Sequence, residues 1–435
     1  MATETLAAGY APPRISFETR LVEAGFVIVM LLIMVGLTPF DDRTPAAIAA
    51  RDAASATGDT LRQVAFLGTF GMILYGALRK RGLVVFTSVP VLVAALLVWC
   101  FLSSTWADEA DVILRRSVLA AIFVLSVLLV VDTLGSARTV VLWRNTVAAV
   151  IVADIASVIF IHNAVHQADD LEASLAGAWR GLHSHKNMAG SVAASAVAMF
   201  FYLALETKRK SDMVLCLASL VFLVMTRSKS SLGLLPVAMA AGGLYRIAAR
   251  NMLDRTIAAF AALLFVLAFG VLTALEWQNL ARFLEDPQHF TGRAAIWQAE
   301  TDYIRDHPWF GAGFGTFGNT GVRSPIYEYV GRGWVSQIGE GHSGYLEMLV
   351  TLGGIGFAIG MLGLLIQPFL QFWRADRNNS NLNALLFTLF VFDVLHNFME
   401  SDFVQVTSAQ WGQMLLVISL LRVTQREARE RGTPR

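Results

Sequence analysis

The run Val112–Val131 reads VILRRSVLAAIFVLSVLLVV, and after Arg116 it carries no charge as far as Val131. A hydrocarbon core about 30 Å thick takes about 20 helical residues to cross, because lipid offers the backbone no partners and the helix satisfies them internally. The run is therefore predicted to span a membrane. Working outward, comparable runs recur at Leu21–Thr38, Leu61–Leu78, Leu83–Leu102, Val140–Ile161, Met188–Leu205, Met213–Thr226, Leu232–Ile247, Arg255–Leu275, Tyr345–Ile366, Leu382–His396 and Val404–Leu421. About twelve spans result. The 435 residues are 55% hydrophobic and 15% charged, with mean hydropathy +0.56, too apolar for a water-soluble chain of this length. The expected fold is an all-α integral membrane protein.

Short charged turns set the orientation. Arg79-Lys80-Arg81, Lys208-Arg209-Lys210, Arg246 with Arg250 and Arg255, Arg374 with Arg377, and the Arg-rich tail alternate with far less basic turns. The positive-inside rule makes the basic side the cytoplasm. The organisation follows: a cytoplasmic segment 1–20, nine spans within 21–275, an extracytoplasmic loop 276–342, three spans within 343–422 and a cytoplasmic tail 423–435. Both termini are then cytoplasmic, and no removable signal peptide is read before Leu21. A net charge of +1 with no basic domain argues against nucleic acid as a partner. Cys100 and Cys216 fall in spans near opposite faces, too far apart to pair.

The polar chemistry collects on the outer side. Arg227 and Lys229 lie in the tight outward turn TRSKS (Thr226–Ser230), where two cations run against the charge bias and the neighbouring hydroxyls suit an anion. Interfacial snorkelling is the bland alternative. Arg293 follows Thr291-Gly292 at the start of a predicted helix ending before Pro308, and a cation there opposes the helix dipole unless an anion sits between it and the free amides. His342 sits where the long loop re-enters the membrane and suits a general base; Glu347 would orient it or face the bundle interior. His162, His166, His183 and His185 put half of the eight histidines on one outer loop, where Lys186 would contact phosphate. Gly313–Gly318 matches GxGxxG without a strand–turn–helix setting, so it is read as a flexible loop rather than a dinucleotide site.

The phrases GLHSHKN (Gly181–Asn187), TRSKS, GRAAIW (Gly292–Trp297), HPWFG (His307–Gly311) and HSGYLE (His342–Glu347) resemble the bacterial O-antigen ligase and O-antigen polymerase superfamily. The HKN and SKS forms are closest to its exopolysaccharide polymerase branch. The resemblance runs from about Trp99 to Phe403. It implies a GT-C-type bundle with a large periplasmic loop in the bacterial inner membrane, acting as an inverting, metal-independent glycosyltransferase without a cofactor. The implied donor is a glycan on undecaprenyl pyrophosphate; the acceptor is a glycan or lipid A–core. A chain-length regulator and a flippase fit as partners beside membrane lipids. By position, Arg227 and Arg293 would hold the pyrophosphate with Lys186, His342 would activate the acceptor, and His185, Lys229 and Glu347 would support them. Ser343 departs from the Asn that many members carry after the histidine. Polymerase is favoured over ligase. A lipid-linked-sugar transporter or flippase, suggested by the membrane acids Asp154 and Asp393, is the alternative of a different class.

Overall fold

The computed structural model describes residues 16–48, 60–248, 293–318, 324–330, 341–374 and 380–432. Its elements are helices α1 (Phe17–Met34), α2 (Thr60–Arg81), α3 (Val91–Leu102), α4 (Ala110–Leu134), α5 (Ser136–Phe160), α6 (Lys186–Thr207), α7 (Lys210–Thr226), α8 (Lys229–Ala248), α9 (Arg293–Asp306), α10 (Gly344–Gly360), α11 (Ser380–His396) and α12 (Ala409–Glu430). Beyond Gly360, α10 continues through a π-helical turn, Met361–Ile366, to Trp373. No strand forms among the described residues; the loop 161–185 holds one antiparallel bridge, Val165 with Trp179.

Each predicted span within the described residues falls on helix, with altered ends. Among the described residues, six helices are long and apolar enough to cross a membrane: α2 with the 3₁₀ stretch to Ser88, α4, α5, α6, α8 and α10 with its continuation. The expected twelve is thus not matched by length and composition alone. α1 carries Glu18, Arg20 and Glu23, α7 is a residue or so short, and α3 and α11 are shorter apolar helices. Leu83–Leu102 is not one span. Pro90 lacks an N–H and takes the N-cap of α3, so Gly82–Ser88 extends α2 instead. α12 begins at Ala409 rather than Val404, because Ser408 caps it by accepting from the Trp411 N–H. Arg255–Leu275 lies outside the described residues.

The core is built from helices apolar on every side. α4 and α6 are 67% and 72% buried over their most apolar windows, whereas α2 and α8 are 28% and 22%, which makes the first pair central. α6 packs on α7, α8 and α11, and α4 on α2 and α12. The outer helices expose apolar stripes: on α7, Met213, Val214, Leu217, Leu220, Val221 and Val224 all face out. A soluble protein does not present so continuous a surface, and lipid accounts for it. Hydroxyls within the helices turn back on their own chain, as Ser126 does to Ile122 O and Thr133 to Leu129 O.

Side-chain ties sort the connections into two ends. At one, Arg81 and Arg426 share Asp132, Lys80 reaches Thr19, and Arg144 holds Asp212. At the other, the loop 161–185 is clamped onto the helices. The buried Arg180 donates to the carbonyls of Asn163, Ser184 and Asp41. His183 Nδ1 lies 2.6 Å from Met34 O and Nε2 3.1 Å from the Asp154 carboxylate. The Met34 carbonyl only accepts, so Nδ1 carries a proton and Asp154 draws the second. Burial alone would lower the His183 pKa, but Asp154 carries it above the ordinary value.

The GxGxxG segment is not a flexible loop. α10 breaks at Gly353 (φ 65, ψ −178), freeing carbonyls to which Ala312 N and Gly313 N bond at 2.9 Å, on Val350 O and Thr351 O. Gly354 N returns a bond to Pro308 O at 2.8 Å. A Cβ at Gly353 would collide with the Trp309 carbonyl, so glycine is required there for both its dihedral angle and its space.

Candidate functional site

The cluster HSHKN divides at the start of α6. His183 is spent on Asp154. His185 is the N-cap of α6, its Nδ1 accepting from Asn187 N at 3.2 Å, which leaves the proton on Nε2, 3.6 Å from Glu172. The His185 ring, followed by Arg43, holds the Glu172 carboxyl below the usual range. Behind them His166 receives the Lys186 N–H on Nε2 and gives Nδ1–H to Asp170. Both bonds are those of a neutral ring, and burial pushes its pKa down to about 4.

Lys186 Nζ lies 3.2 Å from Arg227 O. Arg227 ends α7 in the left-handed region (φ 53, ψ 26), costing roughly 1–2 kcal/mol for a non-glycine residue. Its guanidinium is exposed and meets Ala176 O at 3.3 Å. Lys229 is exposed at the first position of α8. Thus Arg227 and Lys186 adjoin through one carbonyl. For Arg293 the structure gives only the helix it starts; Thr291 and the Arg293 side chain lie outside what is described.

His342 also has a positive φ of 53. Its Nδ1 is 3.2 Å from Glu400 Oε2, and Glu400 Oε1 accepts from Asn187 Nδ2 at 2.9 Å. The ring is therefore tied to the first turn of α6 through a carboxylate that the sequence did not single out. Glu347 meets the backbone just before His342. Its Oε2 accepts from Gly341 N at 3.1 Å while Trp297 Nε1 donates to Gly341 O at 2.8 Å, so these two hold the backbone before His342 and Glu400 takes the ring. Ser343, the departure from the family pattern, is buried, and its N–H donates to Ser401 Oγ at 3.1 Å.

A cavity of about 1010 Å³ opens beside these groups. His342, Glu400, His185, Lys186 and Asn187 line it, and so do Arg43 from the connection between α1 and α2 and Arg62 from the first turn of α2. Arg43 donates to Ser184 O at 2.8 Å. A second dyad, His396 with Asp402 at 2.6 Å, completes the wall under Ser408. Arg227 and Lys229 stand off the lining. Sequence reasoning missed Glu400, Arg43 and Arg62; the acid-rich turn Met399–Asp402 was the signal for the first.

Residues 213–361 match the family model for O-antigen ligase. No curated protein matches the chain. The matched O-antigen ligase segment runs from α7 into the π-helical turn of α10 and carries Arg227, Arg293, His342 and Glu347. It supports the superfamily resemblance drawn from the motifs. With the apolar helices, it points to a multi-pass membrane enzyme of the ligase and polymerase type. Asn187 and Glu400, which hold the His342 ring, lie outside the matched segment.

Glu300 on α9 lies under the His342 turn. It is fully buried, neither carboxylate oxygen has a partner among the described residues, and a Cβ on Gly341 would collide with it. Burial, followed by the nearby Glu347 charge, raises its pKa well above the ordinary carboxyl value. The folded state then holds a proton that the unfolded chain releases, so stability falls as pH rises from the ordinary carboxyl range through the raised pKa. Glu300→Gln mimics the neutral acid. Thermal unfolding in detergent from acid to mildly alkaline pH should show the wild type losing stability with rising pH and the Gln variant losing less. Parallel profiles for the two proteins would mean that Glu300 is ionised in the fold.

Proposed function

We propose that the chain is a periplasm-facing, inverting and metal-independent glycosyltransferase that uses glycans on undecaprenyl pyrophosphate and joins their repeat units. The observation that carries this reading is the His342–Glu400–Asn187 chain on the wall of a cavity that Lys186 also lines. His342 takes the proton of the acceptor hydroxyl as its oxygen attacks the anomeric carbon. Glu400 accepts from Nδ1–H, which leaves Nε2 as the base and offsets the charge that the ring gains. The bond from the anomeric carbon to the phosphate oxygen breaks on the opposite face, and undecaprenyl pyrophosphate leaves with the electron pair. Arg227, Arg293 and Lys186 stabilise that growing negative charge, with His185 and Lys229 beside them. No step calls for a metal or a redox cofactor.

Ligase action is the second reading, favoured by the description of the matched family; the acceptor would then be lipid A–core. Of the two intramembrane acids behind the transporter reading, Asp154 is bonded through both oxygens, whereas Asp393 Oδ2 has no hydrogen-bond partner among the described residues. Asp154 holds His183 and the Leu182 N–H, and Asp393 accepts from Gln413 Nε2 at 2.8 Å.

The test is the lipid-linked glycan profile of cells lacking the chain, complemented with wild type. Accumulated single repeats on the carrier, converted to polymer by wild type, are expected. Long polymer left on the carrier would establish the ligase instead. Absence of any outward lipid-linked glycan would overturn both and restore the transporter.

A further inference from the structure

A second cavity, of about 510 Å³, lies at the other end of α9. Ile296 lines the first cavity, whereas Tyr303 and Asp306 line the second. At about 1.5 Å rise per residue, the ten-residue step from Ile296 to Asp306 separates them by roughly 15 Å. The volume is typical of ligand pockets, about 300–1,000 Å³. Three aromatic rings form one side. Trp309 and Phe310 are 64% and 50% exposed, unusual for residues this large, and Phe310 meets Trp106 edge-on at 5.2 Å. Phe310 is backed by Trp99, on which it stacks and whose indole N–H is anchored on Leu352 O at 2.9 Å, and the backbone of the loop is bonded to the break in α10. The rim carries carboxylates, including Asp108, Asp306 and Glu328.

Exposed aromatic faces beside carboxylates suit a saccharide. Its C–H faces lie on the rings, and its hydroxyl edges donate to the acids. Other occupants fit worse. An acyl chain or headgroup belt would place several carboxylates in or near hydrocarbon, which is costly. A metal ion needs converging ligands, and no such group of three acids or histidines occurs among the described residues. A phosphate would face like charge. We propose that this cavity is a binding site for the body of a glycan, holding uncharged sugar residues remote from the reacting end. The inference rests on the glycosyltransferase reading, for the distance between the cavities is one that a few linked sugars span.

The test uses the full-length chain in detergent, titrated with the lipid-free repeat oligosaccharide released by mild acid from the cell's own surface polysaccharide. Tryptophan fluorescence and saturation-transfer NMR would follow binding to wild type, Trp309→Ala and Glu328→Gln, with inorganic pyrophosphate as the second probe. Both changes are at exposed positions, so folding should persist. Oligosaccharide affinity should fall at least tenfold in Trp309→Ala and less in Glu328→Gln, while pyrophosphate binding stays unchanged. Equal oligosaccharide affinity in wild type and Trp309→Ala would overturn the site. So would quenching of Trp309 by brominated acyl chains without protection by oligosaccharide, which would make it a membrane anchor. Neither result depends on turnover, so failure of the glycan profile and failure of this site are read separately.

Discussion

His342→Ala is expected to lower turnover of an undecaprenyl-pyrophosphate-linked glycan by about 10²–10⁴-fold, the range a positioned general base contributes. Substrate binding should change little, because the ring takes a proton in the transition state and is not asked to grip the ground state. The measurement is product formation by purified protein over a range of donor concentrations, so that kcat and KM separate. Glu400→Gln refines it. Glutamine can still accept from Nδ1–H, yet it removes the charge facing the imidazolium. Its kcat should therefore fall, but less than for His342→Ala, with KM retained. A structural role for Glu400 would show instead as loss of folded protein. Full activity of His342→Ala would remove the base from the mechanism and the carrying observation from the proposed function.

How far the sequence could reach is decided by the range of each interaction. Val112–Val131 was legible because a span is a local property: one uninterrupted run meets the length that lipid demands. Pro90 was also visible in Leu83–Leu102, but hydropathy averages over it, so the run was read as one span. His342 stood out through its motif and its place at the membrane edge. Its partner did not, because Glu400 lies 58 residues away and reaches the ring only when the turn after α11 folds beside the head of α6. The nearer Glu347 was the natural choice on a helix; the fold gives it the Gly341 amide instead. The glycines Gly311, Gly313 and Gly315 all adopt positive φ, which composition reports as freedom. In the fold they let the chain lie against the gap at Gly353, a long-range fit that no local pattern records.

The same distinction governs Arg227. Its position in a five-residue turn between apolar runs was local and readable, while the use of its charge depends on the environment. Among the described residues the guanidinium makes one weak contact, 3.3 Å to Ala176 O, and its remaining donors are unspent. Lys186 holds the Arg227 carbonyl, so the turn itself stays fixed whatever its side chain. Alanine at φ 53 carries much the same backbone cost as arginine, since both are L residues with a Cβ. Arg227→Ala should therefore fold normally and lose activity by about 10²–10³-fold, the cost of deleting one fixed donor to a developing anion. Arg227→Lys should recover only part of that, because an ammonium cannot bridge two phosphate oxygens as a planar fork does. Arg293→Ala should lose as much, and Arg332→Ala, elsewhere in the same loop, should lose none. Thermal unfolding and turnover measured on the same preparations separate folding from chemistry. Wild-type turnover by Arg227→Ala or Arg293→Ala would mean that the pyrophosphate is held by other cations, and Arg43 and Arg62 on the cavity wall would be the next to replace.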